Sequence, residues 1–276
     1  MRVLFFGSGS PASVQALQAL IPATSIAGVV VPKHRRFWQR SPAAPLIELA
    51  RKNRLPVYKL DRHRQMAVAR DLKAIRPDLI CIATFPFILN AEVLQIADGI
   101  NVHTSLLPCH RGPDPLFWTY LCDDRSAGVT VHWLNDRADA GPILLQRAIP
   151  LARGRPIVEL YFELATIGAQ LIAESIQMMS GGRAPRLLQD EAQATVEPSR
   201  TTGKWRVEIE RWPAERVWHV IRGLTVGRGS FLGDIPHGTA RAYANEQHDR
   251  RPGSIEPIAN GLRIFCVDGY VDVDRA

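Results

Sequence analysis

Short apolar runs alternate with stretches of helical periodicity along the first half of the chain. The apolar runs have the length of β-strands and lie at residues 2–6, 26–31, 55–60, 79–84, 99–103 and 128–134. Between the first four runs, apolar residues recur every three or four positions, as they do on one face of a helix. Strands joined by helices lie parallel in one sheet, so the pattern predicts an α/β domain with a mostly parallel sheet flanked by helices. A long apolar-rich helix is expected at 157–179.

The pattern changes after a stretch rich in Gly, Pro and polar residues at 180–200, which has the composition of a linker. An amphipathic helix is expected at 212–224. Short strands with turn residues between them follow at 239–244, 253–259, 262–267 and 270–273. We therefore predict a catalytic domain over 1–188, a linker over 189–205 and a small C-terminal β-rich, OB-like domain over 206–276.

Composition narrows the class of protein. The chain has 276 residues, of which 46% are apolar, yet no apolar run reaches the ~20 residues that span a bilayer. We expect a cytoplasmic protein that does not bind membranes, because the N-terminus turns polar too early for a signal peptide. The cysteines are far apart and form no CxxC pair, so we expect neither disulfides nor a metal site; they are Cys81, Cys109, Cys122 and Cys266. The net charge of +7 favours an anionic partner without identifying it.

The first strand ends in a glycine-rich turn, Gly7–Ser10. It is a partial version of a dinucleotide-binding turn, in which Ala12 occupies the position of the third glycine. The acidic residue expected after the second strand is missing, because the chain reads Val31-Pro32-Lys33 there. A tight strand-to-helix turn is therefore favoured over a nicotinamide-dependent oxidoreductase.

Three polar residues in the middle of the chain suggest acyl transfer. Asn101 and His103 are two residues apart on one predicted strand, so both project from the same face at its carboxyl end, where ligands bind in α/β sheets. Asp139 follows the strand 128–134, and the turn at Gly141-Pro142 can direct its carboxylate back to the sheet edge.

The three side chains suit attack of an amine on an amide-like carbonyl. An N–H of Asn101 and a protonated His103 can stabilise the oxyanion of the tetrahedral intermediate. We expect Asp139 to keep the imidazole cationic, or to act as general base toward the amine.

These residues together resemble the signature of the folate-dependent formyltransferases. The resemblance rests on Asn101-x-His103, Ser105–Pro108, Arg111-Gly112 and Asp139-x-Gly141. It implies a Rossmann-like fold, a catalytic trio of Asn101, His103 and Asp139, and 10-formyltetrahydrofolate as cofactor. It also implies that two loops and Asp139 embrace the pterin; the loop residues are Phe85, Pro86, Phe87, Ile88, Leu89, Ser105, Leu106, Leu107 and Pro108.

The amine acceptor is less well defined, because members of this family act on different amines. A basic segment, Lys33–Arg40, and the C-terminal domain resemble features of the tRNA-formylating members. The segment Pro113–Trp118 and the turn Arg137–Gly141 instead resemble enzymes that act on amino sugars or amino acids. We therefore predict a small-molecule amine, such as a nucleotide-linked amino sugar or an amino acid derivative, with methionyl-tRNA as the alternative.

The residues expected to contact the acceptor are Gly7, Ser8, Ser10, Arg111, Gly112, Asp114 and Trp118. Trp38, Trp118 and Tyr120 are candidates for stacking on a base or a sugar. A monomer or a homodimer is expected. A non-catalytic RNA-binding module remains as an alternative, and it predicts salt-sensitive RNA binding that does not depend on Asn101, His103 and Asp139.

Overall fold

The protein is described by a computed structural model that covers residues 1–33, 42–202, 205–225 and 239–274. The chain forms two compact units, each built from three stretches of sequence. The first unit contains Met1–Gly112, Gly128–Ala148 and Phe162–Val196. The second unit contains Pro113–Ala127, Ile149–Tyr161 and Glu197–Ala276. The domain bounds expected from composition, at residues 188 and 206, stay a prediction.

The first unit is built on a seven-stranded sheet. Its strands are β1 (Arg2–Gly7), β2 (Ser25–Pro32), β3 (Val57–Leu60), β4 (Leu79–Ala83), β5 (Gly99–His103), β6 (Ser126–Trp133) and β7 (Ile143–Pro150). They lie in the order β3-β2-β1-β4-β5-β6-β7. The first five pair in parallel, and β6 runs antiparallel to β5. The predicted α/β class with a mostly parallel sheet is confirmed.

Some of the helices begin with a side-chain N-cap. Their bounds are α1 (Pro11–Leu20), α2 (Ala44–Lys52), α3 (Gln65–Ala74), α4 (Ala91–Leu94), α5 (Pro115–Leu121), α6 (Ile157–Ser180) and α7 (Ala214–Leu224). Ser10 caps α1 by accepting a hydrogen bond from the Ser13 amide, and Asn90 caps α4 in the same way from Val93. Within the described parts of the chain, no helix is long and apolar enough to cross a bilayer.

The central strands carry the core of the first unit. Val3, Leu4, Phe5 and Phe6 of β1 are fully buried, and so is nearly all of β4. Continuous apolar runs are typical of strands that are covered on both faces. Because β5 pairs with β4, its carboxyl end is held by the best-packed part of the sheet.

Two elements were not predicted from the sequence pattern. β7 is the outer strand next to β6, and it exposes Gln146, Arg147 and Ala148, so it lacks a continuous apolar run. α5 has the opposite character, because nearly all of its side chains are buried and no polar face alternates with an apolar one.

The second unit contains a small antiparallel sheet. Its strands are β8 (Ala240–Ala244), β9 (Ile255–Ile258), β10 (Gly261–Phe265) and β11 (Tyr270–Asp274). They lie in the order β8-β11-β10-β9, and the amphipathic helix α7 packs on β8 and β11. The predicted C-terminal β-rich part is confirmed.

Candidate active site

Asn101, His103 and Asp139 meet at the carboxyl end of β5. The Asp139 carboxylate is the centre of the group: its Oδ1 atom lies 3.3 Å from Asn101 Nδ2 and 3.6 Å from His103 Nδ1. His103 is buried, whereas Asn101 and Asp139 are half-buried. The predicted convergence of the three side chains is therefore present in the structure.

A constrained turn delivers the Asp139 carboxylate. Asp139 has a φ of 54°, in the left-handed region that non-glycine residues seldom adopt. Its Oδ2 atom accepts a hydrogen bond of 3.0 Å from the Gly112 amide. Two residues on, a Cβ at Gly141 would lie 1.7 Å from the carbonyl oxygen of Trp133, so only glycine fits there. The backbone of the turn, and not rotamer choice alone, directs the carboxylate.

His132 joins the group, and sequence reasoning missed it. It lies on β6 directly opposite Asn101, and its Nε2 atom is 3.2 Å from Asn101 Nδ2 and 3.4 Å from Asp139 Oδ1. Its Nδ1 atom donates to the Trp133 carbonyl at 2.9 Å, which leaves Nε2 of the neutral ring as an acceptor for the Asn101 amide. The only local signal was a histidine on the predicted strand 128–134, and the pairing that brings it to Asn101 was not predicted.

Hydrogen bonding and burial determine the protonation state of His103. Its Nε2 atom donates to the His110 carbonyl at 2.8 Å, so the lone pair of the neutral ring is at Nδ1 and faces Asp139. Burial lowers the pKa of His103 and outweighs the opposing effect of the Asp139 charge. The expectation that Asp139 keeps this imidazole cationic is therefore wrong. Nδ1 is instead placed to accept a proton.

Asp139 remains ionised in the same surroundings. Burial raises the pKa of its carboxyl, but its attraction to a protonated His103, then to a protonated His132, and the hydrogen bond from the Gly112 amide outweigh burial and bring the pKa well below its ordinary value. The site therefore combines a neutral imidazole with a carboxylate that can stabilise the imidazolium once a proton arrives.

The loop Phe85–Leu89 presents an apolar surface near the end of β4. Phe85 and Phe87 are half-buried and pack edge to face at 4.7 Å, and Leu89 is buried. Ile88, by contrast, has 74% of its surface exposed, and Pro86 is exposed beside it. An exposed aliphatic side chain next to an aromatic one suits a flat heteroaromatic ligand such as a pterin. That role stays a prediction.

A buried glutamine fixes this loop. The Gln65 amide donates to the Ile88 carbonyl at 3.0 Å and accepts a hydrogen bond from the Asn90 amide, also at 3.0 Å. Because both polar groups of the side chain are used, the apolar loop is held in one conformation against the start of α3.

The stretch Ser105–Pro108 is held by Thr130 and Gln146. Thr130 donates its hydroxyl hydrogen to the Ser105 carbonyl at 2.7 Å and accepts from the Leu107 amide at 3.2 Å. Gln146 donates to the Leu107 carbonyl at 2.9 Å. Leu106 and Pro108 are half-buried, and contact of this stretch with the folate stays a prediction.

Comparison with known proteins decides the family, because residues 1–176 match the formyl transferase family. The chain belongs to the formyltransferase family. Methionyl-tRNA formyltransferases are among its relatives: that of Moorella thermoacetica is 33% identical over 84% of this chain and 75% of its own. That of Roseiflexus castenholzii is 33% identical over 98% of this chain and 89% of its own.

A solved N-formyltransferase from Helicobacter canadensis, in complex with folinic acid and dTDP-3-aminofucose, has the same fold. It has a TM-score of 0.73, is 19% identical, and the match covers 99% of this chain and 98% of that one. The predicted recognition is confirmed: this protein is a folate-dependent formyltransferase, and the formyl donor of its family is 10-formyltetrahydrofolate.

In this formyltransferase the turn Gly7–Ser10 forms part of a hydroxyl cluster. Ser8 and Ser10 are hydrogen-bonded to Thr84 at 3.2 and 2.5 Å, and the fully buried Ser13 donates to the Ala83 carbonyl at 2.6 Å. The hydroxyls therefore link the ends of β1 and β4. Contact of Gly7, Ser8 and Ser10 with the acceptor stays a prediction.

Arg111 and Gly112 lie beside the catalytic trio of the formyltransferase. The Gly112 amide contacts Asp139, whereas the Arg111 side chain is only 2% exposed and points away into a network with Gln189 and Glu191. Burial of this guanidinium favours a structural connection over direct contact with the acceptor.

Asp114 and Trp118 belong to the second unit. Asp114 accepts hydrogen bonds from Ser199 at 3.1 Å and from the Arg200 amide at 3.0 Å. Trp118 is buried and donates to the Pro198 carbonyl at 3.0 Å. These contacts are typical of packing residues, and the expected binding roles stay predictions.

Two other expected contacts gain no structural support. Tyr120 is fully buried and stacks on His219 at 4.9 Å, so it offers no free face to a base. Trp38 and all of the basic segment except Lys33 lie outside the described residues.

Proposed function

We propose that this formyltransferase transfers the formyl group of 10-formyltetrahydrofolate to the amino group of methionyl-tRNA. The observation that carries the proposal is the identity of 33% to a methionyl-tRNA formyltransferase over 98% of the chain. The match extends over the C-terminal part of the chain, which the N-formyltransferase from Helicobacter canadensis also matches. The sequence-based preference for an amino-sugar or amino-acid acceptor becomes the second candidate.

Exposed cations at the outer strands support an extended anionic acceptor. Lys33 follows β2, Lys59 is the next-to-last residue of β3, and Arg62 follows β3. All three side chains are exposed. The Lys33 amide bonds to the Leu60 carbonyl at 2.8 Å, so these residues share one edge of the sheet. Parallel strands place their carboxyl ends together, and four strand spacings put this corner about 19 Å from β5. That distance suits phosphates remote from the reacting amine.

A specific observation favours the second candidate. Residues 205–276 contain ten arginines and ten acidic residues, so this segment has no net positive charge. Within the described part of its sheet, Arg263 pairs with Asp272 at 2.8 Å and Arg241 with Asp274 at 3.3 Å. A module that binds RNA through phosphates usually carries excess positive charge, so a nucleotide-linked amino sugar is retained as the alternative acceptor.

The chemistry follows from the protonation states. The folate supplies the formyl carbon. Nδ1 of neutral His103 accepts a proton from the amine as nitrogen attacks that carbon, and Asp139 stabilises the imidazolium across 3.6 Å. The imidazolium can then return the proton to the departing nitrogen of the folate.

Asn101 supplies the donor for the developing oxyanion. Its amide hydrogens make two long bonds, of 3.2 Å to His132 and 3.3 Å to Asp139. One of them can be exchanged at small cost for a shorter bond to a charged oxygen. Stabilisation of this kind by a single donor is worth on the order of a hundredfold in rate.

An acceptor panel tests the proposal. Purified protein is incubated with 10-formyltetrahydrofolate and methionyl-tRNA, a nucleotide-linked amino sugar, or free methionine, and the products are identified by mass. We expect formylation of methionyl-tRNA. The His103→Gln variant serves as the inactive control. Formylation of the amino sugar alone would show that the tRNA proposal is wrong and that the second candidate is right.

A further inference from the structure

A segment expected to be a linker crosses the candidate active site. Residues 187–196, called the bridging segment below, contact both chain stretches that supply site residues. At one end, Leu187 exchanges backbone hydrogen bonds of 2.7 and 3.0 Å with Ile143, just after the Asp139 turn. At the other end, Thr195 accepts hydrogen bonds from the backbone amides of His110 and Arg111 at 2.8 and 3.0 Å.

Gln189 of the bridging segment is bonded at all four polar positions of its side-chain amide. Nε2 donates to the carbonyls of Asp139 and Gly141 at 2.8 and 2.7 Å. Oε1 accepts from Nε and Nη2 of Arg111 at 3.0 and 2.8 Å. An amide has two donors and two acceptor sites, so none is left over. The reversed amide would place N–H groups against the guanidinium, so this orientation is fixed.

Arg111 anchors the glutamine. Its guanidinium is buried and binds Glu191 through two N–H groups, at 2.9 and 3.2 Å. Glu191 also accepts a hydrogen bond of 2.9 Å from Arg137, which precedes Asp139 by two residues. The bridging segment is thus tied to the Asp139 turn on both sides of the carboxylate-bearing residue.

Asp139 needs such support, because its left-handed backbone conformation is unfavourable for a residue with a Cβ. We propose that Gln189, held by Arg111, is a positioning residue that keeps the Asp139 turn in the conformation that brings its carboxylate to Asn101 and His103. The inference rests on the catalytic role proposed for Asp139, and it does not depend on the identity of the acceptor.

Two substitutions separate the bonds of Gln189. Gln189→Met keeps the length of the side chain and removes all its hydrogen bonds, whereas Gln189→Glu keeps an acceptor for Arg111 but cannot donate to two carbonyls. We expect both variants to lower kcat by roughly 10- to 100-fold, since small misplacements of catalytic groups have effects of this size. KM for the folate should change little. Gln193→Met, in the same segment but bonded to Asp190, is the matched control and should keep the wild-type kcat.

The titration of His103 is a second readout, because a purely structural role of Gln189 would leave the pKa of His103 unchanged. NMR follows its imidazole, identified among the eight histidines by the loss of its signal in His103→Gln. The charges that face it belong to Asp139, His132 and His110, of which only Asp139 raises its pKa. Displacing the carboxylate in Gln189→Met should therefore lower the pKa of His103 relative to wild type, while Gln193→Met should leave it unchanged.

The outcomes distinguish the two proposals. An unchanged kcat in Gln189→Met, or a lower kcat with an unmoved His103 titration, overturns the positioning role. Full activity of Gln189→Glu beside an inactive Gln189→Met also overturns it, because the bonds to the turn would then be dispensable. If wild-type protein formylates no tRNA, the proposed acceptor is wrong, but the histidine titration still tests Gln189.

Discussion

Nδ1 of His103 lies 3.6 Å from Oδ1 of Asp139, close enough for the carboxylate to stabilise an imidazolium but too far for a strong hydrogen bond in the neutral state. Burial keeps the imidazole neutral, and the carboxylate stays ionised beside it. The pair is therefore prepared for a proton that arrives during the reaction, and the predictions below follow from this and from the neighbouring geometry.

Removal of the Asp139 charge should abolish most of the activity. We expect Asp139→Asn to lower kcat on the order of a hundredfold or more, because the imidazolium formed in the reaction loses its counter-charge. Folate affinity, measured by fluorescence titration, should be retained. Asp136→Asn, an exposed change in the same connection, is the control. Near-normal turnover of Asp139→Asn would remove the carboxylate from the mechanism.

The pH profile should identify the neutral imidazole as the active form. Burial lowers the pKa of His103 from 6.5, so kcat/KM should be constant near neutral pH and should fall only below pH 6.5, as the ring becomes protonated. In Asp139→Asn the midpoint should move to still lower pH, because the Asp139 charge raises this pKa. A rate that increases from about pH 7.5 to about pH 5.5 would show that the imidazolium is required instead.

His219 should make the second unit sensitive to acid. Burial, and next the charge of Arg153, lower the pKa of this fully buried histidine to about 4. Above pH 6.5 the ring is neutral in both the folded and the unfolded chain, and below it the unfolded chain gains the proton first. The free energy of unfolding should therefore fall by roughly 3 kcal/mol as the pH falls from 6.5 to about 4.

Substitution by asparagine tests the assignment to His219. His219→Asn retains an acceptor for the Gly154 amide, which donates to Nδ1 at 2.8 Å, but does not titrate. Denaturation by urea, followed by tryptophan fluorescence, should show a smaller loss of stability between pH 6.5 and about 4. His63→Asn, at an exposed position, should leave the loss as in wild type. Equal losses in the two variants would assign the effect to other groups.

Gly141 should tolerate no side chain. A Cβ there would lie 1.7 Å from the Trp133 carbonyl, so Gly141→Ala must displace the Asp139 turn. We expect a loss of more than about 2 kcal/mol in unfolding free energy, together with loss of turnover. In Gly181→Ala the nearest atom would be 3.4 Å away, and stability and kcat should stay near wild type. A fully active Gly141→Ala would show that the turn is less constrained than its geometry implies.

Charge reversal at the corner formed by Lys33, Lys59 and Arg62 tests the tRNA proposal. The triple variant Lys33→Glu, Lys59→Glu, Arg62→Glu should raise KM for methionyl-tRNA at least tenfold at low salt and leave KM for the folate unchanged.

The control for this variant reverses three exposed arginines at the opposite ends of the strands: Arg51, Arg54 and Arg76. A general effect of net charge would lower tRNA affinity equally in both triple variants. If neither variant changes KM for methionyl-tRNA, the charged corner is not part of the tRNA site.

The trio was predictable because its signals are local. Asn101 and His103 share a strand face by simple alternation, and the turn after the next strand supplies Asp139. The parallel pairing of β4 and β5 places Asn101 and His103 at the edge where ligands bind, whereas Asp139 follows the antiparallel β6 and reaches the same edge through its turn.

Other parts of the site depend on pairing that no local pattern encodes. His132 joins the group only because β6 lies antiparallel beside β5, which places it opposite Asn101. Gln189 lies in a polar stretch with the composition of a linker, and only its long-range bonds to Arg111 and Asp139 distinguish it from a solvated residue. The protonation of His103 depended on burial, which sequence spacing does not give.

The antiparallel pairing of β5 with β6 also bears on how this family can diverge. Asn101 faces His132 because of strand register, and the chain between these strands includes Pro113–Ala127, which belongs to the other compact unit. A one-residue slip within β6 would turn His132 to the opposite side of the sheet, whereas a change in the intervening stretch acts first on the packing of the other unit, in which α5 is buried. The reaction centre is therefore sensitive to an insertion within β6 in a way that the identity of its residues does not reveal.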